Sequence, residues 1–122
     1  MRYISLFTHE KKHNVPPTEA EMASMGKLIE EGMKAGWLLA TEGVQFGREG
    51  VRVHKAQGGD ITVTDGPFSE AKEVIGGYAL LRAGSQAEAI ELCRRFLRVV
   101  GQGTCELHEL YEAPAAGNPS AR

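Results

Sequence analysis

The chain has 122 residues, with 14 basic against 16 acidic side chains and a formal net charge of -2, which sets the expectation of one domain burying about two-thirds of its unfolded surface. No Lys/Arg block is long enough to track a phosphate backbone, so nucleic-acid binding is disfavoured. The apolar run from Tyr3 to Phe7 is too short for a signal-peptide core, and nothing approaches the ~20 apolar residues of a membrane span, so a cytoplasmic protein with no membrane partner is expected.

Residues 2–8 read as a strand. Pro16-Pro17 then break the chain ahead of Thr18-Glu19-Ala20-Glu21, an N-cap Thr with a Glu three residues later. Met22, Met25, Ile29 and Met33 follow at spacings of three and four and give the helix one apolar stripe, with Gly36 as its stop. Gly26 and Gly32 each cost that helix about 1 kcal/mol against Ala. Close packing against a neighbour, or the approach of a ligand, would offset that cost.

Residues 37–40 read as a buried strand, and residues 51–55 and 61–64 alternate apolar with polar around Gly58-Gly59-Asp60, the pattern of a hairpin. Residues 77–82 give another apolar strand. Ser85-Gln86-Ala87-Glu88 then repeats the capping logic ahead of Ala89, Ile90, Cys93, Phe96, Leu97 and Val100, and Gly101 ends this second helix. Residues 104–111 supply a last strand. The domain is expected to span 1–112, with 113–122, rich in Ala, Pro, Gly and Ser, as a flexible C-terminal tail.

This order predicts an α+β fold, a βαββαβ frame with an extra β-hairpin. Two helices would cover one sheet face and leave the other open, and an apolar face in water favours a homodimer. Cys93 falls in the helix pattern and Cys105 in the strand pattern. Two thiols in a chain without an export signal read as buried hydrophobes rather than a disulfide.

The richest stretch for chemistry is Thr64-Asp65-Gly66-Pro67-Phe68-Ser69-Glu70-Ala71-Lys72-Glu73. Gly66 tolerates conformations closed to other residues, while Pro67 fixes its own φ and lacks an N–H, so the chain must turn sharply. An Asx-turn from Asp65 would normally bond the N–H two residues on, but that residue is Pro67. Asp65 then either caps a short helical turn beginning near Gly66 or faces a pocket as acid, base or anchor. Glu70 and Glu73 would share a face if the segment is helical, with Lys72 to neutralise either. Such a charge run also suits a solvated face, which leaves Lys72 and Glu73 as ligand-binding candidates behind Asp65.

His9-Glu10-Lys11-Lys12-His13 matches the H-E-x-x-H string of zinc proteases, whose mechanism needs both imidazoles on one helical face. The segment follows a strand and runs directly into Pro16-Pro17, which leaves no room for that helix, so no metal site is expected. His9 alone, just past the first strand, is a candidate acid, base or anchor, as an alternative to a solvated loop His. Glu42 arrives straight after an apolar strand. Pointing inward beside Asp65 it would form a carboxylate pair suited to acid–base work; pointing outward it would be solvated or paired with Arg48 or Arg52. Tyr78 follows Gly76-Gly77 and offers a hydroxyl to a pocket, or packs in the core with its OH tied down.

Four segments carry a resemblance across nearly the whole chain: Asn14-Val15-Pro16-Pro17-Thr18, the run from Lys34 to Gly43 with Trp37-Leu38-Leu39-Ala40, the Asp65-Gly66-Pro67-Phe68 tetrapeptide with its flanks, and Glu73-Val74-Ile75-Gly76-Gly77-Tyr78-Ala79-Leu80-Leu81. Together they resemble the YCII-related family, in the branch named for its Asp-Gly-Pro-Phe (DGPF) signature. That resemblance implies a ferredoxin-like fold whose sheets pair into a dimeric α+β barrel. It also implies a pocket near the signature loop. Some relatives carry a His-Asp pair in the barrel cleft and work without a bound cofactor, by acid–base or lyase-like chemistry on a small organic acid. Asp65 is the position the signature carries over; His9 does not fall on the family's His by motif. Relatives encoded beside alternative-sigma transcription factors suggest the other reading, a non-catalytic metabolite-sensing or interaction module with a transcription-regulatory protein partner.

Overall fold

The computed structural model describes residues 1–11, 15–45, 50–66, 68 and 72–112. His13, Arg48, Glu70 and the tail 113–122, each considered above, lie outside the described residues, as does most of the turn that Asp65 would cap. The chain runs β1 (Arg2–Glu10), α1 (Glu19–Ala35), β2 (Leu38–Gly43), β3 (Val51–Lys55), β4 (Ile61–Asp65), β5 (Glu73–Arg82), α2 (Gln86–Val100) and β6 (Thr104–Glu109).

β1 is the spine of a four-stranded antiparallel sheet in the order β2-β5-β1-β6, and β3 and β4 form a separate two-stranded sheet. Without that hairpin the four core strands stand in the order 2-3-1-4, the arrangement of a ferredoxin-like α+β fold with two helices. The hairpin is an insertion between the second and third core strands.

Several strands outrun their expected ends, β2 running to Gly43 and β5 beginning at Glu73. β1 continues through His9 and Glu10 because the β1–β5 ladder resumes after a bulge, pairing His9 with Val74 and Glu10 with Glu73. His9 is thus a strand residue rather than a loop residue. The helix ends follow the capping chemistry. Glu21 N donates to Thr18 Oγ1 at 3.1 Å while Thr18 N donates to Glu21 Oε1 at 2.8 Å, and Gly36 closes α1 at a φ of 89°. In α2, Glu88 N donates to Ser85 Oγ at 3.1 Å, and the Gly101 N–H closes on Leu97 O at 2.7 Å.

Both helices cover the sheet face that carries Tyr3, Ser5, Phe7 and His9, since successive strand residues alternate faces. The core is small: Tyr3, Leu38, Leu81, Ala83, Ala89 and Cys93, with Ile29, Trp37, Leu92, Cys105 and Leu107 packed around it. Its six residues come from β1, β2, β5, α2 and the turn between β5 and α2, and the C-terminal end of α1 packs beside them at Trp37 and Leu38. A Cβ on Gly32 would stand 2.7 Å from Trp37 Cη2 and 2.9 Å from Leu38 Cβ, so only glycine lets the helix approach this closely. Arg95 of α2 fastens the same end, donating to Glu31 Oε2 at 2.8 Å and standing 5.3 Å from the Trp37 ring. No described helix is long and apolar enough to cross a membrane.

Candidate functional site

Six residues before Gly32, about 9 Å back along the helix axis, a Cβ on Gly26 would meet nothing within 4 Å. α1 is pinned to β2 at its C-terminal end, whereas toward its N-terminal end Met22, Met25, Gly26 and Ile29 line a gap instead of closing on the sheet. The gap is a cavity of about 660 Å³ between both helices and the sheet, within the size range of small-molecule sites.

Its walls are largely apolar. Met22, Met25 and Ile29 come from α1, and Phe96, Val99 and Val100 from α2, the faces predicted from their three-and-four spacing. Met33, the last of the α1 stripe, lies beyond the cavity and is exposed. Pro16, Pro17 and Glu21 border the cavity where α1 begins, so the capping box also shapes it.

The sheet side of the cavity is built around Phe7. Its ring meets Phe96 edge-on at 5.0 Å, and a Cβ on Gly76 or Gly103 would stand 2.7 Å or 2.3 Å from it. Gly76 and Gly103 thus leave the space the ring occupies. Gly76 is the bulged residue of β5, since Phe7 pairs with Gly77 and Thr8 with Ile75. Two residues on from Phe7 in β1, His9, only 7 % exposed, is on the same cavity side with its ring 5.8 Å from Phe7. Its Nδ1 lies 3.2 Å from Glu10 O. Ser5, Thr41 and Gln102 are further polar residues of the lining, and Thr41 Oγ1 donates to Tyr78 O at 2.8 Å.

The sequence-derived candidates separate into three places. His9 presents its ring to the cavity. Glu42 and Tyr78 border it, yet they pair with each other across β2 and β5, and Tyr78 pairs with Leu6, which puts both side chains on the opposite sheet face. Asp65 is exposed at the end of β4, opposite Val51, and is not among the residues lining the cavity. Glu73 begins β5 and accepts from Thr8 Oγ1 at 3.3 Å, and Lys72, exposed, accepts from Lys11 N through its carbonyl at 3.0 Å. His9 and Glu10 are consecutive strand residues, so they do not form the helical face that the zinc string requires.

Sequence reasoning missed what secures the signature loop. Lys11 Nζ donates to Phe68 O at 2.6 Å, Arg52 stacks over the Phe68 ring at 3.8 Å, and Gly66 N donates to Gly50 O at 3.0 Å. No local pattern in the sequence marks Lys11 as the partner of Phe68, 57 residues further on. The thiols are the other surprise. Hydrogen bonds from Cys105 and Ser5, working against burial, hold the Cys93 thiol below the ordinary thiol range, while the proton shared with Cys93, together with burial, pushes Cys105 up.

Fold and site together define a small ferredoxin-like α+β protein with an interhelical apolar cavity and a buried histidine in its wall. Residues 1–112 match the YCII-related domain, and the chain belongs to that family. No curated protein matches it.

Proposed function

We propose that this YCII-related protein is a homodimeric small-molecule binder whose cavity takes a largely apolar organic acid, with His9 as its polar anchor. The observation that carries this is a nearly buried imidazole in the wall of a cavity of about 660 Å³ otherwise dominated by Met, Phe and aliphatic side chains. A protonated imidazole would hold a carboxylate, and the neutral ring would take a proton from the bound acid. In its enzymatic form the proposal is cofactor-free acid–base or lyase-like chemistry, with Glu42 or Asp65 as the carboxylate and Lys72, Glu73 and Tyr78 as ligand contacts. Asp65 sits on the hairpin rather than at the cavity, so its part depends on the paired subunit.

A homodimer is supported by two surfaces. The sheet face away from the helices carries Ile4, Leu6, Tyr78 and Leu80, and the hairpin exposes Val51, Val53, Ile61 and Val63. The same exposed hairpin favours a second reading, a metabolite-sensing or interaction module with a transcription-regulatory protein partner. Thermal shift against organic acids of increasing apolar length tests both. A ligand at about a hundredfold excess over Kd adds about 2.7 kcal/mol, or about 10 °C for a chain of this size. His9→Gln should abolish the shift. If no acid raises the Tm, or if His9→Gln responds as the wild type does, the proposal fails. Turnover of the bound acid, followed by NMR, separates an enzyme from a sensor.

A further inference from the structure

Cys93 and Cys105 are the two thiols of the chain, and the fold brings both to one buried cluster beside the cavity. Cys93 is buried on α2, its Sγ 3.5 Å from Ser5 Oγ. Across the β1–β6 ladder Ser5 pairs with Leu107 and Phe7 pairs with Cys105, so Cys105 is the diagonal neighbour of Ser5 on the helix-covered face. Phe96, three residues after Cys93 and so on the same side of α2, packs on Phe7. Sheet register and helix turn therefore converge, and Cys105 packs against the buried cluster that holds Cys93. Cys93 lines the cavity, whereas Cys105 stands behind it.

The geometry points to a two-cysteine redox site, in which Cys93 reduces an organic hydroperoxide admitted by the cavity and Cys105 completes the reaction as an intramolecular disulfide. Cys93, as thiolate, attacks the terminal peroxide oxygen. The O–O bond breaks, Cys93 becomes a sulfenic acid, and the departing alkoxide takes up the proton Cys93 released, leaving as the alcohol. Cys105 sulfur then attacks Cys93 sulfur. The S–O bond breaks, and hydroxide leaves with the Cys105 proton as water. Two thiols and one hydroperoxide thus give one disulfide, one alcohol and one water, and an external dithiol returns the site to its starting state.

Three features fit this role. The acidity is on the thiol that faces the cavity, which is the nucleophile the first step needs. The resolving thiol packs against the same buried cluster, so the sulfenic acid need not await a second protein. The Met- and Phe-rich lining suits an alkyl or aryl hydroperoxide better than hydrogen peroxide.

The test treats the reduced full-length protein with stoichiometric cumene hydroperoxide, then alkylates the unfolded chain with N-ethylmaleimide for mass spectrometry and peptide mapping. The expected product carries no alkyl group on either cysteine, yields a Cys93–Cys105 cross-linked peptide from monomeric chain, and recovers both thiols in dithiothreitol. Cys105→Ala should stop at a sulfenic acid on Cys93 that dimedone traps. Cys93→Ala should lose hydroperoxide consumption altogether and keep Cys105 alkylatable. Should either variant fail to fold, the wild-type peptide map decides. Two thiols still alkylated after treatment, a disulfide joining separate chains, or consumption undiminished in Cys93→Ala would overturn the inference. None of these outcomes depends on His9 or on the binding of an organic acid.

Discussion

The two glycines of α1 make opposite predictions for the same substitution. Gly26→Ala adds a methyl group where nothing lies within 4 Å, so the gain in helix propensity, about 1 kcal/mol, is realised in full. Gly32→Ala gains the same amount but drives its Cβ to 2.7 Å from Trp37 Cη2 and 2.9 Å from Leu38 Cβ. The second contact is to a Cβ fixed to the β2 backbone, which cannot turn away, and Trp37 is itself held beneath Arg95. Overpacking of this kind costs about 1–3 kcal/mol, and a clash with two side chains belongs at the upper end, leaving a net loss of about 2 kcal/mol. For a domain of this length 1 kcal/mol moves the Tm by about 4 °C. Circular-dichroism melts at one fixed protein concentration should place Gly26→Ala about 4 °C above the wild type and Gly32→Ala about 8 °C below it. Equal shifts for the two variants, or a Gly32→Ala as stable as the wild type, would refute the idea that α1 is pinned at one end and lifted at the other.

Three further outcomes follow from single contacts. Thr18→Ala removes one half of the reciprocal cap and should cost about 1 kcal/mol, read as a loss of about 4 °C in Tm. Lys11→Met withdraws the ammonium from Phe68 O, and hydrogen exchange at Gly66 and Phe68 should accelerate while exchange within β1 and β5 stays unchanged. Cys105→Ala removes the strongest influence that lowers the Cys93 pKa. The pH midpoint of Cys93 alkylation should therefore rise relative to the wild type, since less thiolate is present at any pH below the new value.

The fold was legible where the sequence uses local chemistry. Both helices begin at the Thr18 and Ser85 caps and stop at Gly36 and Gly101, because capping depends on a few neighbouring residues. Gly58-Gly59 marked the hairpin for the same reason. What the sequence could not express is nonlocal. The extension of β1 through His9 depends on where β5 resumes pairing after its bulge at Gly76, a fact of register between segments more than sixty residues apart. Alternation along β1 then puts His9 on the cavity side. Asp65 stood out because its signature is compact in sequence, yet a turn signal says nothing about which surface the turn meets. Cys93 and Cys105 drew little notice as single residues in two different elements; their pairing appears only when α2 is laid across β1 and β6.

The hairpin raises the last question, what keeps β3 and β4 together. All ten of their residues are exposed, including Val53 at 67 % and Val63 at 66 %, which face each other across the ladder. A two-stranded hairpin is marginally stable at best in water, and this one displays its β-branched side chains rather than burying them. The proposed homodimer would cover that surface. Val63→Lys places a charge at its centre, where a buried lysine would lack a partner, and the β1–β5 core lies elsewhere. Sedimentation should find the wild type as a dimer and Val63→Lys shifted to monomer, with the far-UV spectrum retained. The wild-type Tm should also rise with protein concentration, since pairing stabilises the folded chain by mass action, and that dependence should vanish in the variant. A wild type that sediments as a monomer at every concentration would leave the hairpin face to a different protein partner and remove the paired subunit on which a catalytic role for Asp65 depends.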